Sequence, residues 1–393
     1  MLNAADFFVD PDIKKARTLP REAYLSGEFQ EVELEAIFKR MWMPVPQRSA
    51  AELKGNPKSL HELLRRPGAY VPFDMLGNPL LLQRDTEDQT LRCFSNVCTH
   101  AWYQLEQGCG ELTRRNRFHF CGQHGRQFDS KGKCISQPGF SGKMEKFPSD
   151  DDHLPEIKLA EWEQFLFLCL GEPKVLFGEI FDPIRKSLGN LNVKDFKRYP
   201  RDNEEAEVDG NWKFHVNNYM DLLHIGVLHG LPKGLAETLD MPSYKFEYPH
   251  PFCSLQWAYA KNPKDGFEPG ILPKRFHDPA HPEKRVYALW WCVLPNMDIN
   301  VYKWGMSLNV FFPIVNEPQK SLWRGYHYVR DEEEYVRLNA KLLNLNVSTE
   351  DFDAISRVAH GANSGFAKRG RFGPSEGGPH WLQTFVYSMM FEN

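Results

Sequence analysis

Cys98-Thr99-His100 and Cys121-Gly122-Gln123-His124 supply two thiols and two imidazoles, in one C-x-H and one C-x-x-H step. Thiolate and imidazole donors in equal number suit zinc or an iron–sulfur centre with mixed ligands. Small zinc sites usually repeat one C-x₂₋₄-C step and pair their histidines at the end. Here each arm carries one Cys and one His, as a two-iron cluster needs when each loop must reach both metals. A structural zinc site is the competing reading, and it predicts a colourless protein.

A second constellation begins after Asn211-Trp212-Lys213. The pattern from Phe214 to Leu228 is helical, and Asn217, Asp221 and His224 fall at i, i+4 and i+7, on one face. His229 comes one step beyond a clean i+4 from His224. The spacing therefore predicts that the helix ends or kinks between them, with Gly226 and Gly230 as the yielding points. Two such histidines also suit a core in which both rings are satisfied by hydrogen bonds. An acid and an amide on the same face add weight to a metal site.

The elements that must position these groups differ along the chain. Residues 28–41 carry Leu34, Ile37, Phe38 and Met41 at helical spacing, which predicts an amphipathic helix ended by Trp42 and Pro44. From about residue 46 the texture is short strands: Ala69–Met75, a Gly77-Asn78 turn, Pro79–Arg84, then Leu91–Val97 leading into Cys98. Lys58–Arg66 reads as a short helical insert. Arg117–Phe120 delivers Cys121, so the four ligands sit at the tips of two β-loops. Glu156–Trp162 and Gln164–Leu170 read as a last strand pair, and Gly171-Glu172-Pro173 as a boundary. A helix is expected over Phe177–Leu188. Val286–Tyr302, Ser307–Ile314 and Arg324–Arg330 read as strands, and Glu332–Asn344 as a helix.

The two constellations together resemble the Rieske [2Fe–2S] motif and the large, α-type subunit (terminal oxygenase) of the Rieske non-haem iron oxygenases of the aromatic ring-hydroxylating family. That family's D-x-x-H-x-x-x-x-H reads here Asp221-Leu-Leu-His224-Ile-Gly-Val-Leu-His229. The resemblance implies an α+β fold: an all-β Rieske domain and a helix-grip catalytic domain with a long antiparallel sheet and covering helices. It implies a helical segment over 1–45 packing with the catalytic domain, a Rieske domain over 46–172 and an iron domain over 173–393. It assigns Cys98, His100, Cys121 and His124 to the [2Fe–2S] cluster and His224 and His229 to a mononuclear Fe(II). A downstream carboxylate completes that set. Register against Gly361 places it at Asp351, ahead of Asp353 and then Glu350. Ser348-Thr349 gives an acid there a capping role as well. Asp221 would orient His224 and link it to the Rieske histidine of a neighbouring subunit. Asn217 is either beside the iron or a helix amide bonded to backbone.

The family's usual C-x-H-R-G and C-P-Y-H-G-W loops depart here to His100-Ala101-Trp102 and Cys-Gly-Gln-His-Gly-Arg126. These changes surround the ligand histidines and bear on cluster potential and subunit contact. The resemblance further implies a homotrimer, with or without a small β subunit. No G-x-G-x-x-G follows a strand, so electrons are expected from a separate NAD(P)H-dependent reductase, directly or through a ferredoxin. O₂ and a small organic compound are the substrates. Hydroxylation of an aromatic or heteroaromatic compound is the leading reading, because quaternary-ammonium members tend to carry Glu where Asp221 stands. The alternatives are attack on a quaternary ammonium or N-/O-methyl substrate, and a Rieske electron carrier without activity. Met220, Leu223 and Val227 are the candidate pocket residues.

Composition narrows the remaining choices. The 393 residues suffice for two domains, with 41% hydrophobic and 25% charged residues. A formal charge of -4 without a basic run gives no support for a nucleic-acid or membrane-surface partner. The start lacks a basic region leading into an apolar one, and no apolar run reaches membrane length, so a cytoplasmic location is expected. Eight cysteines in such a chain point to metal ligation over disulfides. Cys93, Cys109, Cys134, Cys169, Cys253 and Cys292 are read as buried small hydrophobes.

Overall fold

The computed structural model describes residues 2–47, 60–140, 142–199, 201, 204–229, 235–343 and 347–392. The chain divides into two units, Trp42–Glu172 and Met1–Met41 with Pro173–Asn393.

Among its described residues the first unit is all-β apart from a turn of helix at Leu60–Leu63 and a 3-10 turn at Asp150–Asp152. Ala69–Met75, Asn78–Arg84, Leu91–Ser95, Glu156–Trp162 and Phe165–Cys169 form the body of a seven-stranded antiparallel sheet. A separate three-stranded sheet pairs His119–Phe120, Gln127–Phe128 and Cys134–Ser136. Leu91–Ser95 of the large sheet leads into Cys98, the chain returns to that sheet's edge at Gly110–Glu111, and His119–Phe120 of the small sheet leads into Cys121, so each sheet feeds one ligand pair. Phe94, Leu105, Phe128, Cys134 and Leu154 pack around Cys98 and Cys121 as one buried cluster. Lys58 and Ser59 of the expected insert lie outside the described residues, as does Gly230.

In the second unit an antiparallel sheet of eight strands runs from Lys197–Tyr199 through Glu317–Val329, Gly305–Ile314, Met297–Tyr302, Val286–Val293 and Cys253–Tyr259 to Lys245–His250. Glu205–Asp209 also pairs with the long Glu317–Val329 strand. Strand alternation puts Gln256, Trp290, Asn300, Ser307 and His327 in cross-strand register on one face. The helix Trp212–Met220 packs on that face: Tyr219 Oη donates to Asn300 Oδ1 at 2.7 Å, and Gln256 Nε2 to the Tyr219 carbonyl at 3.2 Å. Helices Val347–Ala362 and Gly377–Phe391 pack against Trp212–Met220 in turn.

Several expectations shift in detail. Val286–Tyr302 is two strands, broken by a turn at Leu294-Pro295-Asn296. Lys245–His250, Cys253–Tyr259 and Gly377–Phe391 are elements that the sequence pattern did not reveal. The helix over the downstream acids is Val347–Ala362, so Thr349 lies within it and not ahead of it. Cys109 is exposed, while Cys93, Cys134, Cys169, Cys253 and Cys292 are buried.

The N-terminal segment is fastened to the second unit by charge. Helical residues Gly27–Glu33, extended by a π-helical turn at Leu34–Phe38, bring Glu33 to Lys213. Lys213 Nζ donates to Glu33 Oε1 at 2.6 Å, Trp212 Nε1 donates to Glu33 Oε2 at 2.9 Å, and both charged side chains are 1% exposed. Removing one partner of such a pair strands the other charge in the core. Glu33→Ala should therefore lower the stability of this unit by about 3–5 kcal/mol. Denaturant unfolding followed by tryptophan fluorescence would read this. A loss under about 1 kcal/mol, the scale of an exposed pair, would mean that water reaches Lys213.

Candidate metal centres

In the first unit the two ligand loops share one design. The Cys98 N–H donates to the Tyr103 carbonyl at 2.8 Å, and the Cys121 N–H to the Arg126 carbonyl at 2.8 Å. The Trp102 N–H donates back to the Cys98 carbonyl at 3.0 Å, and the Gly125 N–H to the Cys121 carbonyl at 2.9 Å. Each Cys thus begins a closed turn that carries its own His. The second turn needs φ +76° at Gly125, and a Cβ at Gly122 would stand 2.7 Å from the Tyr103 hydroxyl. Trp102 adopts φ +62° in the first turn and is 87% exposed beside His100.

The thiols are buried and the imidazoles lie further out, with the His100 and His124 ring centroids 4.7 Å apart. Burial, then the neighbouring Cys121, pushes the Cys98 thiol up. A metal's positive charge is what can hold such a pair as thiolates. One tetrahedral zinc, with bonds of about 2.0–2.3 Å, needs its donors within about 4 Å of each other. Among the described residues the one set of three or more His, Cys, Asp or Glu donors within 4.8 Å of one another lies elsewhere. Cys98, His100, Cys121 and His124 are spread more widely, as donors to a two-metal cluster must be.

That compact set is His224, His229 and Asp351. It forms because the helix breaks. Trp212–Met220 ends at Met220, and Asp221 takes φ -89° and ψ 123°. A second short helix, Leu223–Val227, then starts with Asp221 accepting from the Leu223 N–H at 2.9 Å and the His224 N–H at 3.3 Å. The helix ends between the two histidines, at Val227, as the spacing predicts; the break at Asp221 is an additional one that the spacing did not reveal, and it resets the helical phase. Asn217 consequently faces away from the cluster and accepts from Gln383 Nε2 at 3.1 Å. Its neighbour Asn218 is the amide at the site, donating to Asp351 Oδ1 at 2.8 Å.

Asp351 Oδ1 lies 3.1 Å from His229 Nε2 and 3.9 Å from His224 Nε2. Two donors at about 2.1 Å from one metal and near a right angle are about 3 Å apart, so the first distance already suits a bound ion. Each histidine has a carboxylate at its other nitrogen. Asp221 Oδ2 is 3.7 Å from His224 Nδ1, and Glu350 Oε2 is 2.8 Å from His229 Nδ1. Burial works against the Asp221 charge, but the His224 ring and the two N–H donors outweigh it and lower its pKa. Burial likewise opposes a charged His229, and Asp351 with Glu350 outweighs it and raises the imidazole. Asp353 points elsewhere, accepting from Arg357 Nε at 3.0 Å. Two nitrogens and one carboxylate on one side of a point, with the other side open, suit Fe(II) and small exogenous ligands.

Around this centre Met220 is buried against Ser254, whereas Leu223 and Val227 are 49% and 82% exposed and do not line a pocket within this chain. Asn218, Glu350 and Arg126 are the residues whose roles only the coordinates bring out. Leu239, Tyr287 and Trp290, with Tyr219, Tyr244 and Tyr302 packed against them, form an aromatic cluster under the C-terminal end of Trp212–Met220. Their polar tips are tied back: Tyr219 to Asn300, Tyr244 Oη to Gln256 Oε1 at 2.7 Å, and Trp290 Nε1 to Tyr302 Oη at 3.2 Å.

Comparison with known proteins places both centres in one context. Residues 58–148 match the Rieske [2Fe-2S] domain, and residues 195–392 match the ring hydroxylating alpha subunit (catalytic domain). The chain is 25% identical to the carnitine monooxygenase oxygenase subunit of Acinetobacter baumannii, over 97% of this chain and 96% of that protein. It is 23% identical to the chloroplastic choline monooxygenase of Spinacia oleracea, over 95% of this chain and 80% of that protein. A solved quaternary ammonium Rieske monooxygenase superposes with a TM-score of 0.73 at 22% identity, covering 99% of this chain and 98% of that one. With its catalytic half matched end to end and its cysteine–histidine loops inside the Rieske match, the chain belongs to the ring hydroxylating alpha subunits, the Rieske-type non-haem iron oxygenases.

Proposed function

We propose that this oxygenase hydroxylates a small compound carrying a methylated ammonium group, with Cys98, His100, Cys121 and His124 holding its [2Fe–2S] cluster and His224, His229 and Asp351 its mononuclear iron. When bound, the cluster passes single electrons and the mononuclear iron activates O₂. Reducing equivalents come from a reductase, for which we propose a separate NAD(P)H-dependent protein.

The protein's own groups have distinct tasks. Asn218 fixes the Asp351 carboxylate so that Oδ1 faces the two imidazoles. Glu350 holds His229 by Nδ1 and leaves Nε2 free to donate to a metal. Asp221 caps Leu223–Val227 with its oxygens and keeps His224 in place. Its side chain is 20% exposed, which leaves it able to meet a second chain. We propose a homotrimer in which Asp221 receives the electron path from a neighbouring cluster. The quaternary ammonium monooxygenase structure is itself described in terms of inter-subunit electron transfer.

The observation that supports the substrate class is the aromatic cluster packed under the C-terminal end of Trp212–Met220, the helix that carries Asn218. A quaternary ammonium has no N–H to donate, so aromatic faces are what recognise it. Tyr219, Tyr244, Tyr287, Trp290 and Tyr302 supply five rings, with Tyr244 and Trp290 stacked 5.7 Å apart. Because the side-chain hydroxyls of Tyr219 and Tyr244 are bonded to sheet amides, their rings are held in fixed orientation. Gln256 and Asn300 spend their amides on Tyr244, Tyr219 and Ser307 and so fix the positions of the rings. Similarity to carnitine and choline monooxygenases supports this reading over the aromatic one that Asp221 had favoured.

Oxygen uptake with a surrogate reductase tests the class directly. Trimethylammonium alcohols and acids should drive uptake and yield product, while their neutral tert-butyl isosteres bind about 10-fold or more weaker, a cation–π contribution of about 1–2 kcal/mol. Turnover of aromatic acids with none of the ammonium compounds would reverse the assignment.

Two substitutions separate the metal roles. Asp351→Ala should empty the mononuclear site, and Glu350→Gln should weaken iron retention about 10–100-fold. Both should leave acid-labile sulfide at the native level when iron and sulfide are counted after dialysis against a chelator. Asp221→Asn removes the charge and keeps one of the two capping acceptors, and both metals should stay bound while single-turnover product formation falls by about 100-fold. Loss of iron from this variant would make Asp221 a ligand-holding residue and remove it from the electron path.

A further inference from the structure

Arg126 stands where the family's second loop usually carries Trp, and it is not on the surface. Its side chain is 3% exposed and makes three polar contacts, all around the first ligand loop. Nη1 donates to Thr99 Oγ1 at 2.8 Å, Nε donates to Gln137 Oε1 at 2.6 Å, and Nη1 pairs with Asp152 Oδ1 at 3.2 Å. The Phe140 and Phe147 rings lie 5.7 and 5.4 Å from the guanidinium carbon. Thr99 is the residue between Cys98 and His100. The far end of the Gln137 amide, Nε2, is 3.2 Å from His100 Nδ1. The buried cation thus reaches the first loop on both sides of His100, from a backbone position two residues beyond His124.

We propose that Arg126 is a potential-setting residue of the Rieske centre, a fixed positive charge that favours the reduced cluster. The proposal rests on the reading that Cys98, His100, Cys121 and His124 hold that cluster. Reduction adds one negative charge to the centre, and a nearby buried cation stabilises that state. Asp152 offsets part of the effect. Its side chain is 21% exposed against 3% for Arg126, so solvent screens the acid more than the base. Arg126 reaches Thr99 and Gln137 on either side of His100 while the Asp152 carboxylate pairs with Arg126, so the drier charge beside the first loop is the positive one. A Trp at this position would supply neither the charge nor the link through Gln137.

The test uses the full-length holoprotein with Arg126→Gln, Arg126→Lys and Asp152→Asn, and Lys158→Gln as a surface control. Iron and acid-labile sulfide are counted first, and the midpoint potential of the Rieske centre is then titrated spectroelectrochemically at fixed pH and ionic strength. Relative to native protein, R126Q should move to more negative potential, D152N to more positive, and R126K and K158Q should stay close to the native value. An unchanged or opposite shift in cluster-loaded R126Q or D152N overturns the proposal. So does an R126K shift as large as that of R126Q, which would trace the effect to hydrogen bonding and not to charge. If R126Q fails to retain its cluster, the direction of the D152N shift decides. Native protein without acid-labile sulfide would defeat the cluster reading itself, a result distinct from all of these.

Discussion

The Trp212–Met220 helix stops one residue short of Asp221, and the iron centre depends on that stop. A continuous helix would carry His224 and His229 around its axis at about 100° per residue, well off a common face. The short helix Leu223–Val227 ends before His229 and breaks this phase, while the extended conformation at Asp221 starts that helix afresh. It also lets one carboxylate do two jobs, capping the next helix and flanking His224. Asp351, one turn into Val347–Ala362, then needs only to meet the two imidazoles from the other side. Its position is set by Asn218 on the near helix and by packing of Phe352 against His215 and Trp323.

A break so close to a metal site must be braced upstream, and the sequence around Lys213 supplies the brace. Asn211 caps the helix through the Lys213 N–H, while its amide donates to the Pro318 and Tyr24 carbonyls. Glu33 takes both the Lys213 ammonium and the Trp212 indole. The N-terminal segment is therefore a structural part of the catalytic unit, although residues 173–393 hold all three candidate iron ligands. His215, one turn further on, is buried and stacked on Phe311, and burial pulls its imidazole down to about 4. It stays neutral and serves as packing, which is why the histidine of Trp212–Met220 does not join His224 and His229 in the metal set.

What the sequence disclosed follows from how few residue types do metal chemistry. The gathering of His224, His229 and Asp351 was legible, the histidines from their spacing and the acid from the family register, and the Cys98/His100 and Cys121/His124 pairs marked the two loops for which a cluster role is proposed. Residues that act through these were not legible. Asn217 was singled out and Asn218 was not, because a helical wheel assumes unbroken phase, and nothing at Asp221 announces the break. Glu350 ranked below its neighbours as a ligand, and its place on His229 Nδ1 required the orientation of both helices. In the fold, Val286–Val293 and Met297–Tyr302 merged because both strands are buried along nearly their whole length, so alternation carried no signal. Gly377–Phe391 escaped notice because its apolar residues surround it almost evenly, with no single stripe to mark a helix.

The two histidines of the iron site are held by carboxylates in unlike settings, and the difference explains what each can do. Glu350 lies at hydrogen-bond distance from His229, whose ring is 2% exposed, and therefore fixes one tautomer and one ring orientation. Asp221 lies 3.7 Å from His224, too far for a direct hydrogen bond, and spends its oxygens on backbone N–H groups. Among the described residues His224 Nδ1 is left buried and without a hydrogen-bond partner. A buried imidazole nitrogen without a partner is costly, and a modest approach of Asp221 would satisfy it. One histidine is thus locked and the other is held loosely next to a partly exposed acid. That asymmetry is what a centre needs if it must retain its metal through one ligand and exchange electrons through the surroundings of the other.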